Sequence, residues 1–134
     1  MTAETYLFDS YALLKVFQKE EGYRKVVGLL RDVSASGGRA LMSAVNYGEI
    51  ISVIKRAFGD QKKIECLAAI ERMGIEILSV PNELIFKAAE YKAEFSISYA
   101  DCFALATALE NKAPLVTGDP EFKKVEHLIK VVWV

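Results

Sequence analysis

Histidine and cysteine are scarce in this chain, with one His and two Cys in 134 residues. His127 sits in Val125-Glu126-His127-Leu128, away from any other candidate ligand, so a His-rich zinc site or a Ser-His-Asp triad has little to build on. Cys66 and Cys102 fall in separate helical patterns without a CxxC partner, which disfavours a thiolate metal site or a disulfide framework and leaves them as packing residues. No apolar run approaches the ~20 residues of a membrane span. The N-terminus also lacks a basic region followed by an apolar core and a small-residue cleavage site, and the chain is expected to be cytoplasmic. Neither sign of charge is in excess: 17 basic residues stand against 18 acidic ones, with a pI near 5.9. That balance excludes a strongly basic coat for nucleic-acid backbones. Local doublets remain, Arg24-Lys25, Lys55-Arg56, Lys62-Lys63 and Lys123-Lys124, and each is more commonly a solvated helix face than a phosphate contact.

Apolar residues, by contrast, are plentiful at 52%, with a mean hydropathy of +0.19. This suits a central sheet covered on both faces. The length fits one domain over residues 1–134, enough to bury about two thirds of the surface the unfolded chain would expose.

Periodicity divides the chain into alternating strands and helices. Tyr6-Leu7-Phe8 reads as a buried strand, followed from Ser10 by a helix through Phe17. Glu20 to Val33 carries Val26, Val27, Leu29, Leu30 and Val33 at helical spacing and ends at Ser36-Gly37-Gly38. Ala40-Leu41-Met42 is a second strand. Ser43 then caps a long helix that stops at Gly59, with a broad apolar face including Tyr47, Ile50, Val53, Ile54 and Phe58. A helix from Asp60 to Met73, a strand over Ile75–Val80 and an outer helix from Pro81 to about Phe95 follow. The segment from Cys102 to Leu109 is apolar nearly all round, as a fully buried helix would be. The chain closes with a strand before Asp119, a helix opened by Pro120, and a final strand over Ile129–Val134, where Trp133 reads as packing. The alternation, and the lack of a tight-hairpin signal, predict an α/β fold on a parallel sheet with right-handed crossovers.

Four acids stand out against this pattern. Asp9 and Asp119 lie just past strand ends, where open parallel sheets bind their ligands. Glu49 lies at the edge of an apolar helix face that also holds Asn46, three residues before it, and Asp101 shares a face with Ala104, Leu105 and Ala108 in the first turn of the buried helix. Each has an ordinary structural explanation: Asp9 and Asp119 as N-caps, Ser98 and Asp101 as a capping pair, Glu49 as a boundary residue. Together they can face one end of the sheet. Two carboxylates ~5 Å apart repel by about 3 kcal/mol at an effective dielectric of 20, so such a cluster must take up protons, spread apart or bind cations. Oxygen ligands without His or Cys suit Mg²⁺ or Mn²⁺, and the matching chemistry is metal-assisted phosphodiester hydrolysis, with Thr117 and Ser10 supplying hydroxyls that orient a ligand or a water.

Asp9 after an apolar strand, Asn46-Tyr47-Gly48-Glu49, the run from Tyr99-Ala100-Asp101 to Ala108, and Thr117-Gly118-Asp119-Pro120-Glu121-Phe122 together resemble the PIN-domain nucleases, and most closely their small prokaryotic branch of VapC-type toxins. The resemblance covers essentially the whole chain. It implies a three-layer α/β/α sandwich around a central, mainly parallel sheet, a Mg²⁺- or Mn²⁺-dependent endoribonuclease acting on RNA, and an antitoxin protein that wraps the nuclease, often in a dimer-based assembly such as a homodimer. Carried onto this sequence it makes Asp9, Glu49, Asp101 and Asp119 the acidic metal site, supported by Ser10, Asn46 and Thr117, with Glu121 as an outer residue. Ser10-Tyr11, where relatives often have Thr-Ser or Ser-Ser, is a mild departure. A phosphoacceptor receiver domain would need an acidic pair where Asp9 is single, and a haloacid-dehalogenase-type phosphatase a second Asp at position 11, which is tyrosine. A PIN-like binding module without turnover is the remaining alternative.

Overall fold

The apolar runs of the sequence become strands, the central ones buried on both faces and the edge strands only in part. In the computed structural model, which describes residues 3–134, these are β1 (Thr5–Phe8), β2 (Arg39–Ser43), β3 (Ile75–Leu78), β4 (Leu115–Thr117) and β5 (Val131–Trp133). Residues 1 and 2 of the expected domain lie outside the described residues. The helices are α1 (Ser10–Gln18), α2 (Tyr23–Ser36), α3 (Ala44–Phe58), α4 (Asp60–Arg72), α5 (Asn82–Glu94) and α6 (Tyr99–Glu110), with a 3-10 helix over Pro120–Val125.

The five strands form one sheet in the order β3-β2-β1-β4-β5, with all neighbours parallel. Side chains alternate across it. Leu7, Leu41 and Leu115 point into a core shared with Leu84 and Ala88 of α5, Leu105 and Ala108 of α6, and Phe122. Phe8, Met42 and Val116 point the other way, against Leu13 of α1, Leu30 of α2, Ile50 and Ile54 of α3 and Ile70 of α4. The expected three-layer α/β/α sandwich on a parallel sheet is therefore what forms.

The chain leaves β1 into α1, which packs on one face, and leaves β4 into the 3-10 helix, which packs on the other. In open parallel sheets the crevice for ligands lies beyond the carboxyl ends of the strands where the order reverses, here β1 and β4.

Four local expectations shift. The second helix starts at Tyr23 rather than Glu20, because Lys19 (φ 50°) ends α1 in the left-handed region and Gly22 (φ 95°) turns the chain again. The broad apolar face of α3 is only partly covered: Asn46, Ile50 and Ile54 are buried at i, i+4, i+8, while Phe58 stays 56% exposed. The segment after Pro120 is a 3-10 helix, and β3 ends at Leu78.

The start of the sheet depends on a close approach at Gly38. A Cβ there would lie 1.7 Å from the carbonyl oxygen of Glu4, the same oxygen that accepts from Arg39 N–H at 2.9 Å to begin the β1–β2 pairing. Gly38→Ala is therefore expected to destabilise the chain by about 1–3 kcal/mol, read as a lowered denaturation midpoint. An unchanged midpoint would contradict the close approach.

Candidate functional site

The crevice is built from helix starts. Asp9 follows β1 in extended conformation and caps α1, its Oδ1 accepting from Ala12 N–H at 2.9 Å. Its other oxygen, Oδ2, accepts from the Thr117 hydroxyl at the end of β4. Thr117 Oγ1 in turn accepts from Asp119 N–H at 3.0 Å, and Asp119 caps the 3-10 helix by accepting from Glu121 N–H at 3.0 Å. The hydroxyl of Thr117 thus bridges two acids on neighbouring strand ends.

On the opposite wall, Ser10 Oγ donates to Glu49 Oε1 at 2.8 Å, and Asn46 Nδ2 donates to the same oxygen at 2.9 Å. Asn46 Nδ2 also reaches the Ala100 carbonyl in the first turn of α6 at 3.3 Å. This small network ties the starts of α1 and α6 to α3. Asp101 completes the arrangement; its N–H donates to Ser98 Oγ at 3.1 Å, so Ser98 caps α6.

These groups lie close enough to feel one another's charge. Asp9 is 2% exposed, and burial above all, with the charges of Asp101 and Asp119 adding to it, pushes its carboxyl up to about 8 against the hydrogen bonds from Thr117 and Ala12. Burial likewise pushes Asp101 up to about 7, with Asp119 the next cause, Glu49 and Glu121 adding smaller repulsions, and Ser98 pulling the other way. Asp9, Asp101, Asp119 and Glu49 therefore stand around one crevice, with the exposed Glu121 at its rim. Three of these acids lie in the first turns or caps of helices, where partial positive charge offsets part of their repulsion.

Chemically, the crevice can hold protons or a cation. Among the described residues no three His, Cys, Asp or Glu side chains are already closed on a point that could hold an ion. Both oxygens of Asp9 and one of Glu49 accept from protein donors. The donor set nonetheless fits a hard cation, being carboxylate oxygen throughout, with Asn46 Oδ1 buried beside it and without a hydrogen-bond partner.

Two features have no counterpart in the motif reading. Lys15 Nζ donates to the carbonyls of Glu21 and Val134, each at 3.0 Å, and lies 2.9 Å from where a Cβ on Gly118 would stand. It thus supports the turn carrying Thr117 and Asp119 from outside, and Gly118 leaves it room. Its spacing from Tyr11, whose ring it overlies at 5.5 Å, was a visible i,i+4 signal. Tyr99 and Phe103 are also i,i+4 partners, with rings stacked 5.0 Å apart.

A family model described as PIN domain matches residues 6–128. No curated protein sequence matches the chain. Among solved structures, the chain is similar to Mycobacterium tuberculosis VapC20, described as a sarcin-ricin loop cleaving toxin, at 16% identity and a TM-score of 0.75 over 96% of this chain and 99% of that one. VapBC2 from Rickettsia felis, bound to a DNA fragment from their promoter, gives 20% identity and 0.75 over 97% and 99%. DNA-bound VapBC from Salmonella typhimurium gives 15% and 0.74 over 96% and 97%. At these identities the likeness is one of fold.

The raised carboxyl of Asp9 makes stability depend on pH. Folded, it keeps its proton up to about pH 8; unfolded, it loses it near its ordinary value of 3.8. The native state binds the extra proton between those values, so the stability of the chain in chelator is expected to fall as pH rises from about 4 to about 8. Asp9→Asn can keep a partner for both Ala12 and Thr117 without the charge. It should exceed the parent at about pH 8 by roughly 1–3 kcal/mol and lose that lead at about pH 5. A parent melting temperature that climbs over this range would contradict the assignment.

Proposed function

As the chain belongs to the PIN-domain family, we propose that it is a divalent-metal-dependent endoribonuclease that hydrolyses RNA phosphodiester bonds, and the toxin of a toxin–antitoxin pair. The observation that carries this reading is the burial and mutual repulsion of carboxylates at the end of the central strands: Asp9 is raised to about 8 and Asp101 to about 7. Such a cluster is poised to exchange protons for Mg²⁺ or Mn²⁺.

Asp9, Glu49, Asp101 and Asp119 would hold the cation. When bound, Mg²⁺ or Mn²⁺ supplies Lewis-acid activation of water and neutralises charge on the phosphate. The chain's own residues do the positioning. Thr117 fixes the Asp9 carboxylate relative to Asp119. Ser10 and Asn46 hold Glu49 by one oxygen and leave the other for the crevice. Glu121, ion-paired with Lys124 at 3.1 Å, is a rim residue that adds negative charge without entering the cluster.

The partner follows the same line: an antitoxin protein that blocks the crevice, with the toxin acting as a homodimer in the cytoplasm and residues 1–134 forming one domain. The assemblies of similar fold described above include VapBC complexes bound to DNA, which supports a partner of this kind. Among the described residues no helix is long and apolar enough to cross a membrane.

The test is cleavage of structured and single-stranded RNA by the purified chain, freed of bound protein, with Mg²⁺, with Mn²⁺ and in chelator. Cleavage is expected with metal alone, and Asp101→Asn is expected to lower the rate about 100-fold or more. Cleavage that persists in chelator, or is undiminished in Asp101→Asn, sinks the mechanism. Binding has its own readout. Near pH 7.5, millimolar Mn²⁺ should raise the melting temperature of the parent by mass action, and Asp9→Asn should remove most of that rise.

A further inference from the structure

The loop that delivers α6 to the crevice carries a surface of a different kind. Tyr99, the first residue of α6, is 45% exposed, and its ring lies on that of Phe103 with centroids 5.0 Å apart and planes within 15°. One face of an exposed ring is thus covered and its orientation set before any ligand arrives, which reduces the ordering cost of stacking on the other face. At the start of the loop, Phe95 meets His127 edge-on at 5.8 Å.

Two ammonium groups close on the same loop. Lys92 Nζ donates to the Ile97 carbonyl and Lys124 Nζ to the Ser96 carbonyl, both at 2.7 Å. Lys124 also pairs with Glu121, whose charge is felt by Asp101. The loop is therefore contiguous with the acidic crevice. Two residues apart on a helix, Tyr99 and Asp101 point some ~160° apart, so ring and carboxylate face nearly opposite sides of the first turn of α6, and a strand that reaches both passes over that turn.

Resting on the ribonuclease reading, we infer that the Phe95–Tyr99 loop is a subsite for single-stranded RNA beside the crevice, in which Tyr99 stacks the base of a nucleotide adjoining the scissile phosphate and Lys124 contacts the backbone. A flat exposed ring, with lysines bound to the Ser96 and Ile97 carbonyls of the loop before it, matches an unpaired nucleotide, which offers both a π-face and a phosphate. Bases within a duplex are already stacked and offer no free face. The cations are local, so the near-neutral total charge of the chain is no obstacle to them.

The experiment uses the full chain carrying Asp101→Asn, so that RNA is held without turnover, and fluorescein-labelled octauridylate in Mg²⁺ as the probe, read by anisotropy. Adding Tyr99→Ala is expected to weaken binding about tenfold. Tyr99→Trp should retain affinity and show quenched indole fluorescence on binding. Lys124→Gln should weaken binding and reduce the dependence on salt by about one phosphate contact. Equal affinity of the Tyr99→Ala and parent chains, with matching melting temperatures, overturns the subsite even where the parent cleaves RNA. Tyr99-dependent binding by a parent that never cleaves RNA supports the subsite and overturns the nuclease reading alone. A parent that neither binds nor cleaves overturns both. A change in oligomeric state on Tyr99→Ala with RNA affinity unchanged assigns the loop to a protein contact and overturns the subsite.

Discussion

A carboxylate buried at the end of the central strand is the constraint on which the rest of the site depends. Asp9 is nearly inaccessible, yet its two oxygens are satisfied from two different elements: Ala12 N–H in α1 and the Thr117 hydroxyl at the end of β4. Removing either donor would leave an acid buried beside other acids with less to hold it. The Thr117 hydroxyl passes the constraint on by accepting from Asp119 N–H, so the ends of β1 and β4 are held as a unit. Parallel pairing of the two strands provides the alignment that lets these groups meet.

Capping and clustering are met by the same residues here. Asp9 caps α1, Asp119 caps the 3-10 helix, and Ser98 caps α6 through the N–H of Asp101. Each helix begins at the carboxyl-end crevice, so each cap or first-turn acid is brought toward the others. Burial above all, with the charges of the neighbouring acids adding to it, keeps the carboxyls of Asp9 and Asp101 raised despite the caps. A divalent cation is the natural remedy, and this is why the fold's own energetics support the proposed chemistry. The Ser10–Glu49–Asn46 network provides the complementary wall, linking α1, α3 and the start of α6.

Both the acids and the elements carrying them were legible in the sequence, because an apolar run ending in a carboxylate, or a buried helix with an acid in its first turn, is a local pattern. Their meaning was less legible, since every acid also had a correct structural role as a cap or boundary residue. The errors were local as well. Helical spacing from Glu20 onward could not reveal that the left-handed Lys19 and Gly22 would delay α2 to Tyr23. The apolar stripe of α3 could not reveal which of its residues the sheet would cover, and Phe58 stays outside.

The sequence by itself determined the alternation of strands and helices, the parallel class of the sheet and the carboxylates at strand and helix ends, because backbone preference and side-chain period act over a few residues. The order β3-β2-β1-β4-β5 belonged to the tertiary structure alone, as did the bridge from Asp9 to Thr117 across 108 residues, the approach of Lys15 to Gly118 and the clasp of Lys92 and Lys124 around the loop before Tyr99. These depend on which faces bury each other across the sheet, and a pattern in one stretch of chain carries no record of the surface packed against it.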